Sequence, residues 1–242
     1  MAQILLVEDE LRYVENYFRQ ELVGPHHLDV VSSAGGIPGH PTQRWDIAFV
    51  DFELAGAPSG LTALTYLRDR VEHPVAFTSA GESGRALFNL AAHAWFGVKI
   101  VYDKADDRPV STVVSAILSG RNPTRPGIQR NLSDLAMDLD GLFRTSRDVE
   151  IWQALDKAGS ARAAATVLGV GDNAIRDFKA AVGDSAERLS IQLNHGLSDR
   201  APGKYAPRSD IVMHFAGLNR VFFNIPDLEA VVQRRDRERA HL

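Results

Sequence analysis

The first 119 residues alternate short, almost unbroken apolar runs with longer amphipathic segments, and few architectures accommodate that alternation. The runs are QILLV (3–7), HLDVV (27–31), DIAFVD (46–51), PVAFTS (74–79) and KIVYD (99–103). A strand covered on both faces reads as a continuous hydrophobic run, whereas a half-exposed strand alternates. Helical spacing between the runs predicts helices over about 10–22, 60–72, 84–95 and 107–119, the last with Val110, Val113, Val114, Ile117 and Leu118 in register. The expected fold is an α/β doubly wound five-stranded parallel sheet with right-handed crossovers. One connection breaks the pattern. SSAGGIPGHPTQR (32–44) holds three glycines and two prolines, so its crossover helix is expected to be short or absent.

The chain has 242 residues, which favours two modest domains over one. SGRNPTRPGIQRN (119–131) has no hydrophobic period and reads as the interdomain linker, placed at 120–131 after a first domain at 1–119. With no cysteine there are no disulfides, thiolate metal sites or cysteine nucleophiles. No apolar run approaches the ~20 residues of a membrane helix. The start MAQILLVEDE is acidic where a secretory signal is basic, so a soluble cytoplasmic protein with no membrane partner is expected.

Ligands of an open parallel sheet sit beyond the carboxyl ends of its strands. The first run ends in Glu8, Asp9 and Glu10, the third in Asp51 and the fourth in Ser79; Lys104 stands just past the fifth. Carboxylates converging from two strands repel one another unless a hard divalent cation lies among them, and an all-oxygen donor set suits Mg²⁺. A lysine and a hydroxyl facing the same point complete a phosphoryl-binding site in which a carboxylate can serve as nucleophile. Singly these residues carry little: acids ahead of a helix complement its dipole, and a strand-end Asp is often a turn residue. The joint placement at four strand ends carries the argument.

In ILLVEDE, DIAFVDFELAG, PVAFTSA and GVKIVYDK, residues 1–119 resemble the receiver (CheY-like, flavodoxin-like) domain of two-component response regulators. The resemblance implies that Asp51 accepts a phosphoryl group from a histidine kinase, with Mg²⁺ held by Glu8, Asp9, Asp51 and the backbone carbonyl of Glu53. It further implies that Ser79 bonds the phosphoryl oxygen, Ala80 leaves access and Lys104 pairs with it. There are departures. The acidic pair is Glu-Asp; Ala55 replaces the usual proline; the following glycine stands one place late, at Gly60; Ala105 replaces the proline after the lysine; and Val101 occupies the aromatic switch position, with Tyr102 one place late. The last two bear on the switching route more than on phosphorylation.

Residues 145–182 show three helical phrases. Thr145 with Asp148 marks a helix start, Gly159-Ser160 ends one helix and caps the next, and Leu168-Gly169-Val170 makes a turn. Ala165, Leu168, Val170 and Ile175 fit the packing of a helix-turn-helix. This part resembles the LuxR/NarL/FixJ-type DNA-binding domain, which implies an all-α helix-turn-helix domain at 132–183 whose second helix, 172–182, enters the major groove of double-stranded DNA. Gly171 takes the cap position; Asp172, Asn173, Arg176, Asp177 and Lys179 are expected outward, and Asn173, Arg176 and Lys179 are the expected DNA contacts. Residues 184–242 exceed that family's usual length and are expected to form a mainly helical C-terminal extension that packs on the domain or dimerises. The alternating charges from Arg234 to Arg239 read as a solvated helix, and His195 and His214 have no partners at metal-ligand spacing.

Charge is unevenly distributed. Residues 1–125 carry 11 Lys/Arg against 15 Asp/Glu, and residues 126–242 carry 16 of each, so the net charge of -4 belongs to the first part. A neutral helical part makes few phosphate contacts, so DNA binding is expected to need a homodimer on two half-sites. The expected function is a phosphorylation-controlled, DNA-binding response regulator, not an enzyme beyond Mg²⁺-dependent phosphotransfer to its own aspartate and the reverse hydrolysis. The alternatives are a phosphorylation-independent receiver serving as a dimerisation platform, and a helical output that binds protein or RNA.

Overall fold

The computed structural model describes residues 1–22, 26–54, 58–79, 84–193 and 208–240. Its contacts divide the chain into two compact units, Met1–Ala80 with Ala91–Arg130, and Gly81–Leu90 with Asn131–Leu242. Each is described by itself. Among the described residues no helix is long and apolar enough to cross a membrane.

In the first unit, β1 (Gln3–Val7), β2 (His27–Val31), β3 (Trp45–Asp51), β4 (Val71–Thr78) and β5 (Ile100–Asp103) pair in parallel in the order β2-β1-β3-β4-β5. All five apolar runs are strands. Side chains alternate between the faces. Ile4, Leu6, Ile47, Phe49, Val75 and Phe77 build one core with Phe18, Val110, Val113, Val114 and Ile117. Leu5, Val7, Ala48, Val50 and Ala76 are equally buried on the other face, so the central strands are apolar on both faces through their middles. The helices of this unit are α1 (Leu11–Tyr13), which continues into π-helical turns over Val14–Arg19, α2 (Gly60–Leu67) and α4 (Val110–Leu118); of α3 (Arg85–Phe96), residues 91–96 belong to it.

The irregular crossover holds only a 3₁₀ turn, Ala34–Gly36. Arg70 braces this loop by donating to the carbonyls of Ile37 at 2.6 Å and Thr42 at 2.7 Å. The Asp29 carboxylate accepts from Thr42 Oγ1 at 2.9 Å and Trp45 Nε1 at 2.7 Å. Backbone groups that a helix would have satisfied internally are met here by side chains.

The expected linker is shorter than 120–131. Thr124 is buried against β5, its hydroxyl accepting from Val101 N at 2.9 Å, and α5 (Pro126–Leu142) begins at a proline. Proline suits the first helical position because the N–H it lacks has no intrahelical partner there.

The second unit contains α6 (Arg147–Ala158), α7 (Ala161–Leu168), α8 (Asp172–Leu193), α9 (Arg208–Leu218), α10 (Arg220–Phe223) and α11 (Leu228–Ala240). Asp148 starts α6 by accepting from the N–H groups of Arg144 at 2.8 Å and Thr145 at 3.0 Å. Gly159 ends α6 at φ 64°, and Ser160 caps α7 by accepting from Ala163 N. Gly169 also lies at φ 64°, and the turn closes with Val170 N donating to Ala165 O at 3.0 Å. The helix-turn-helix is thus present. Its second helix, however, does not stop at 183: α8 runs to Leu193 and buries Ser185, Ala186 and Leu189.

The core explains why. Trp152 of α6 stacks on Phe223 of α10, with centroids 4.6 Å apart and planes 9° apart, and meets Phe178 of α8 and Phe215 of α9 edge-on. Phe215, Phe222 and Phe223 are all fully buried. The C-terminal residues therefore supply part of the core of the helix-turn-helix unit. Phe223→Ala is expected to destabilise that unit by about 3–5 kcal/mol, read as an early transition in urea unfolding followed by Trp152 fluorescence.

Candidate functional site

The strand order places β1 between β2 and β3, so the chain reverses direction of winding between β1 and β3. That switch point opens a crevice at the carboxyl ends of the two strands. Glu8 and Asp9 follow β1 and Asp51 ends β3; each offers one carboxylate oxygen, and these atoms lie within 4.8 Å of one another. Glu8 is 1% exposed and Asp51 2%. Buried carboxylates this close repel strongly, and their hard all-oxygen donor set fits a Mg²⁺ ion. Glu10 takes no part in the cluster: its carboxylate pairs with Arg12 at 2.5 Å near the surface.

Lys104 partly compensates the cluster. Its ammonium lies 2.8 Å from Glu8 Oε2 and 3.1 Å from Asp51 Oδ1, and its backbone N–H donates to Thr78 O at 3.1 Å, which fixes the turn after β5 against the end of β4. Asp51 Oδ1 also accepts from Phe52 N at 2.7 Å. Burial, and then repulsion from Glu8, push the Asp51 carboxyl up to about 7 against the opposing pull of Lys104. Burial alone would lower the Lys104 ammonium; attraction to Asp51 and Glu8 outweighs it and holds the group above its ordinary value.

Gly60 packs directly against the end of β3. A Cβ built there would lie 2.0 Å from the Asp51 carbonyl oxygen, so only glycine fits beside the end of β3. Its late position in the sequence is compatible with this contact. Ser79 directly follows β4, two residues beyond the Phe77 that pairs with Asp51, and is half-buried. Glu53 has an exposed side chain. Ala80 and Ala55 lie outside the described residues.

Two departures acquire a physical reading. Val101 and Tyr102 are successive strand residues and face opposite sides. Tyr102 therefore joins the core with Phe49 and Phe77, 3% exposed, and its hydroxyl donates to Arg108 O at 2.8 Å. An aromatic shifted by one place changes face, so Tyr102 does not substitute for the switch residue. Ala105 N donates to Asp103 Oδ1 at 2.9 Å, a bond that proline could not make.

No motif in the sequence marks the aromatic neighbours of Lys104. Tyr13 of α1 lies with its ring centroid 4.4 Å from the ammonium, and Phe77 of β4 at 5.1 Å. The available signal was an aromatic one helical turn after the acidic pair.

In the second unit, Asp172, Asn173, Arg176 and Asp177 are exposed on α8, and Arg176 bonds the Asn173 side chain. Lys179 corrects the expectation of an outward contact: it is 8% exposed, one position after buried Phe178 on the face of α8 that packs inward. Ala165 and Ile175 are buried as the helix-turn-helix requires, whereas Leu168 and Val170 are half-buried beside a cavity of about 270 Å³ that Arg147 and Asp177 also line.

No protein-family model matches the chain, and no curated protein matches it in sequence. Solved structures do match. RcsB from Salmonella enterica serovar Typhimurium, bound to a promoter in the presence of the phosphomimetic BeF3⁻, covers 89% of this chain and 98% of its own with a TM-score of 0.52 and 12% identity. An RcsB–DNA complex covers 83% and 99% with a TM-score of 0.51 and 12% identity. A LuxR-family response regulator from Aurantimonas sp. SI85-9A1 is 26% identical over 55% of this chain and 96% of its own, with a TM-score of 0.44. At these identities the likeness to RcsB is one of fold: the chain joins a five-stranded parallel receiver-type sheet to a helix-turn-helix unit.

Proposed function

We propose that the chain is a two-component response regulator: a histidine kinase phosphorylates Asp51, and the helical unit regulates transcription by binding double-stranded DNA as a homodimer in the cytoplasm. The carrying observation is the convergence of Glu8, Asp9 and Asp51 within 4.8 Å, with Lys104 ion-paired to two of them. Glu8, Asp9, Asp51 and the Glu53 carbonyl would hold Mg²⁺, which when bound screens the carboxylates and the incoming phosphoryl oxygens. An Asp51 carboxylate oxygen attacks phosphorus as the bond to the kinase histidine breaks; Lys104 and the Ser79 hydroxyl stabilise the equatorial oxygens, and small Ala80 leaves them access. The same groups serve hydrolysis of the acyl phosphate.

DNA binding is carried over from the RcsB–DNA complexes and from the exposed Asn173 and Arg176. With Lys179 buried, the exposed start of α8 offers Arg176 beside Asp172 and Asp177. A monomer then neutralises few phosphates, which strengthens the case for a dimer on two half-sites. The core position of Tyr102 favours one second reading, a receiver that dimerises without phosphorylation. An oligomeric state unchanged by acetyl phosphate would select it.

Acetyl phosphate with Mg²⁺ is expected to add one phosphoryl group to the wild type and none to Asp51→Asn, read by intact-protein mass; equal labelling rejects the phosphoacceptor assignment. The folded-state Asp51 carboxyl is raised from 3.8 to about 7, so its contribution to stability is complete below about 4 and lost as pH rises through about 7. In metal-free buffer, Asp51→Asn should therefore be more stable than wild type by roughly 1–3 kcal/mol at pH 8 and nearly equal to it at pH 4, measured by urea unfolding. In fluorescence anisotropy on promoter DNA, Arg176→Ala should weaken binding by about 1–3 kcal/mol with stability intact, whereas Lys179→Ala should lower stability first.

A further inference from the structure

The Lys104 ammonium sits in a pocket made as much of rings as of carboxylates. Its side chain is 5% exposed, and besides Glu8 and Asp51 it meets Tyr13 at 4.4 Å and Phe77 at 5.1 Å from the ring centroids. Tyr13 stands edge-on to Phe77, with centroids 5.8 Å apart and planes at 87°, and Phe77 stacks on Tyr102 at 5.7 Å. An aromatic face attracts a cation through its quadrupole, and more strongly where water is excluded.

The two kinds of partner answer differently to the chemistry. A divalent cation among Glu8, Asp9 and Asp51 takes up the carboxylate charge that attracts the ammonium and repels the ammonium itself. The rings keep their attraction unchanged. A flexible four-carbon chain without that second hold would exchange the crevice for water. Phe77 belongs to the strand core with Phe18 and Phe49, whereas Tyr13 is half-buried on α1. Arg12 lies over the same Tyr13 ring at 4.8 Å, anchored to Glu10 by its ion pair, so Tyr13 is braced at its surface end as well.

We propose that Tyr13 is a positioning residue for phosphoryl binding at Asp51: its ring holds the Lys104 ammonium in the crevice when the carboxylates engage a divalent cation, ready for the phosphoryl oxygens. This rests on the phosphoacceptor reading of Asp51. The required property is the aromatic face, not the hydroxyl.

The test titrates the full chain with BeF3⁻ in saturating Mg²⁺, followed by ¹⁹F NMR, and separately with Mg²⁺ alone, followed by calorimetry. Tyr13→Phe should bind BeF3⁻ within about twofold of wild type, and Tyr13→Leu about threefold to thirtyfold more weakly, with Mg²⁺ affinity in both variants no weaker than wild type. BeF3⁻ binding by Tyr13→Leu equal to wild type, or equal losses in the Phe and Leu variants, overturns the proposal and leaves the phosphoacceptor reading standing. Loss of Mg²⁺ binding in Tyr13→Leu makes the residue merely structural and likewise overturns it. Failure of the wild type to bind BeF3⁻ removes the phosphoacceptor reading, and this inference with it.

Discussion

Two buried carboxylates, Glu8 and Asp51, must coexist with Asp9 at the carboxyl edge of a sheet otherwise filled by Val, Ile, Leu and Phe. Low-dielectric surroundings make such repulsion costly, and the fold accommodates it by bringing one ammonium within ion-pair distance of both buried groups. Several local features follow from that requirement. Lys104 reaches the cluster because its backbone is pinned to Thr78 at the end of β4. The start of α2 can pack against the end of β3 because Gly60 has no Cβ to collide with the Asp51 carbonyl. Burial, and then repulsion from Glu8, keep the Asp51 carboxyl raised despite Lys104, and a divalent cation would oppose both.

The helical unit is organised by a different force. Trp152, Phe178, Phe215 and Phe223 meet ring to ring, and three successive parts of the chain, α6, α8 and α9–α10, contribute them. A three-helix motif of this length has little apolar surface to bury, and recruiting the C-terminal helices enlarges its core. Polar links follow the same helices. Asp138 of α5 is 7% exposed and bonds Arg188 of α8, while Asp140 pairs with Arg239 of α11 at 2.6 Å.

Hydrophobic continuity made the sheet legible, because buried parallel strands tolerate little else; all five runs became strands, and the helix-poor crossover was marked by its glycines and prolines. The carboxylates and Lys104 were legible because strand order brings strand ends together. What failed was local. Pro126 and Gly127 read as linker, yet a proline at the first helical position starts α5. Lys179 read as outward because cations usually are, but at 8% exposure it shares the inward face with Phe178 and Val182. Single-residue rotation around a 22-residue helix depends on what packs against it, and one packing partner of α8, the helix α9, comes only at Arg208–Leu218.

The turn after β5 gathers the consequences into four residues. Tyr102 faces the core, Lys104 faces the carboxylates, the Ala105 N–H is committed to Asp103, and Asp106 is buried. Hydrogen bonds from Arg108, opposed by burial and assisted by Arg125, hold the Asp106 carboxyl far below its ordinary range. Arg125 immediately precedes α5, so a single residue, Ala105, separates the lysine at the crevice from the aspartate that anchors the start of that helix. Proline at 105 would delete the bond that shapes the turn, and an aromatic at 101 would stand on the face opposite Tyr102. The two departures from the receiver pattern are thus mutually consistent, describing one turn held by ion pairs and an Asx bond where the pattern has a proline and a switch aromatic.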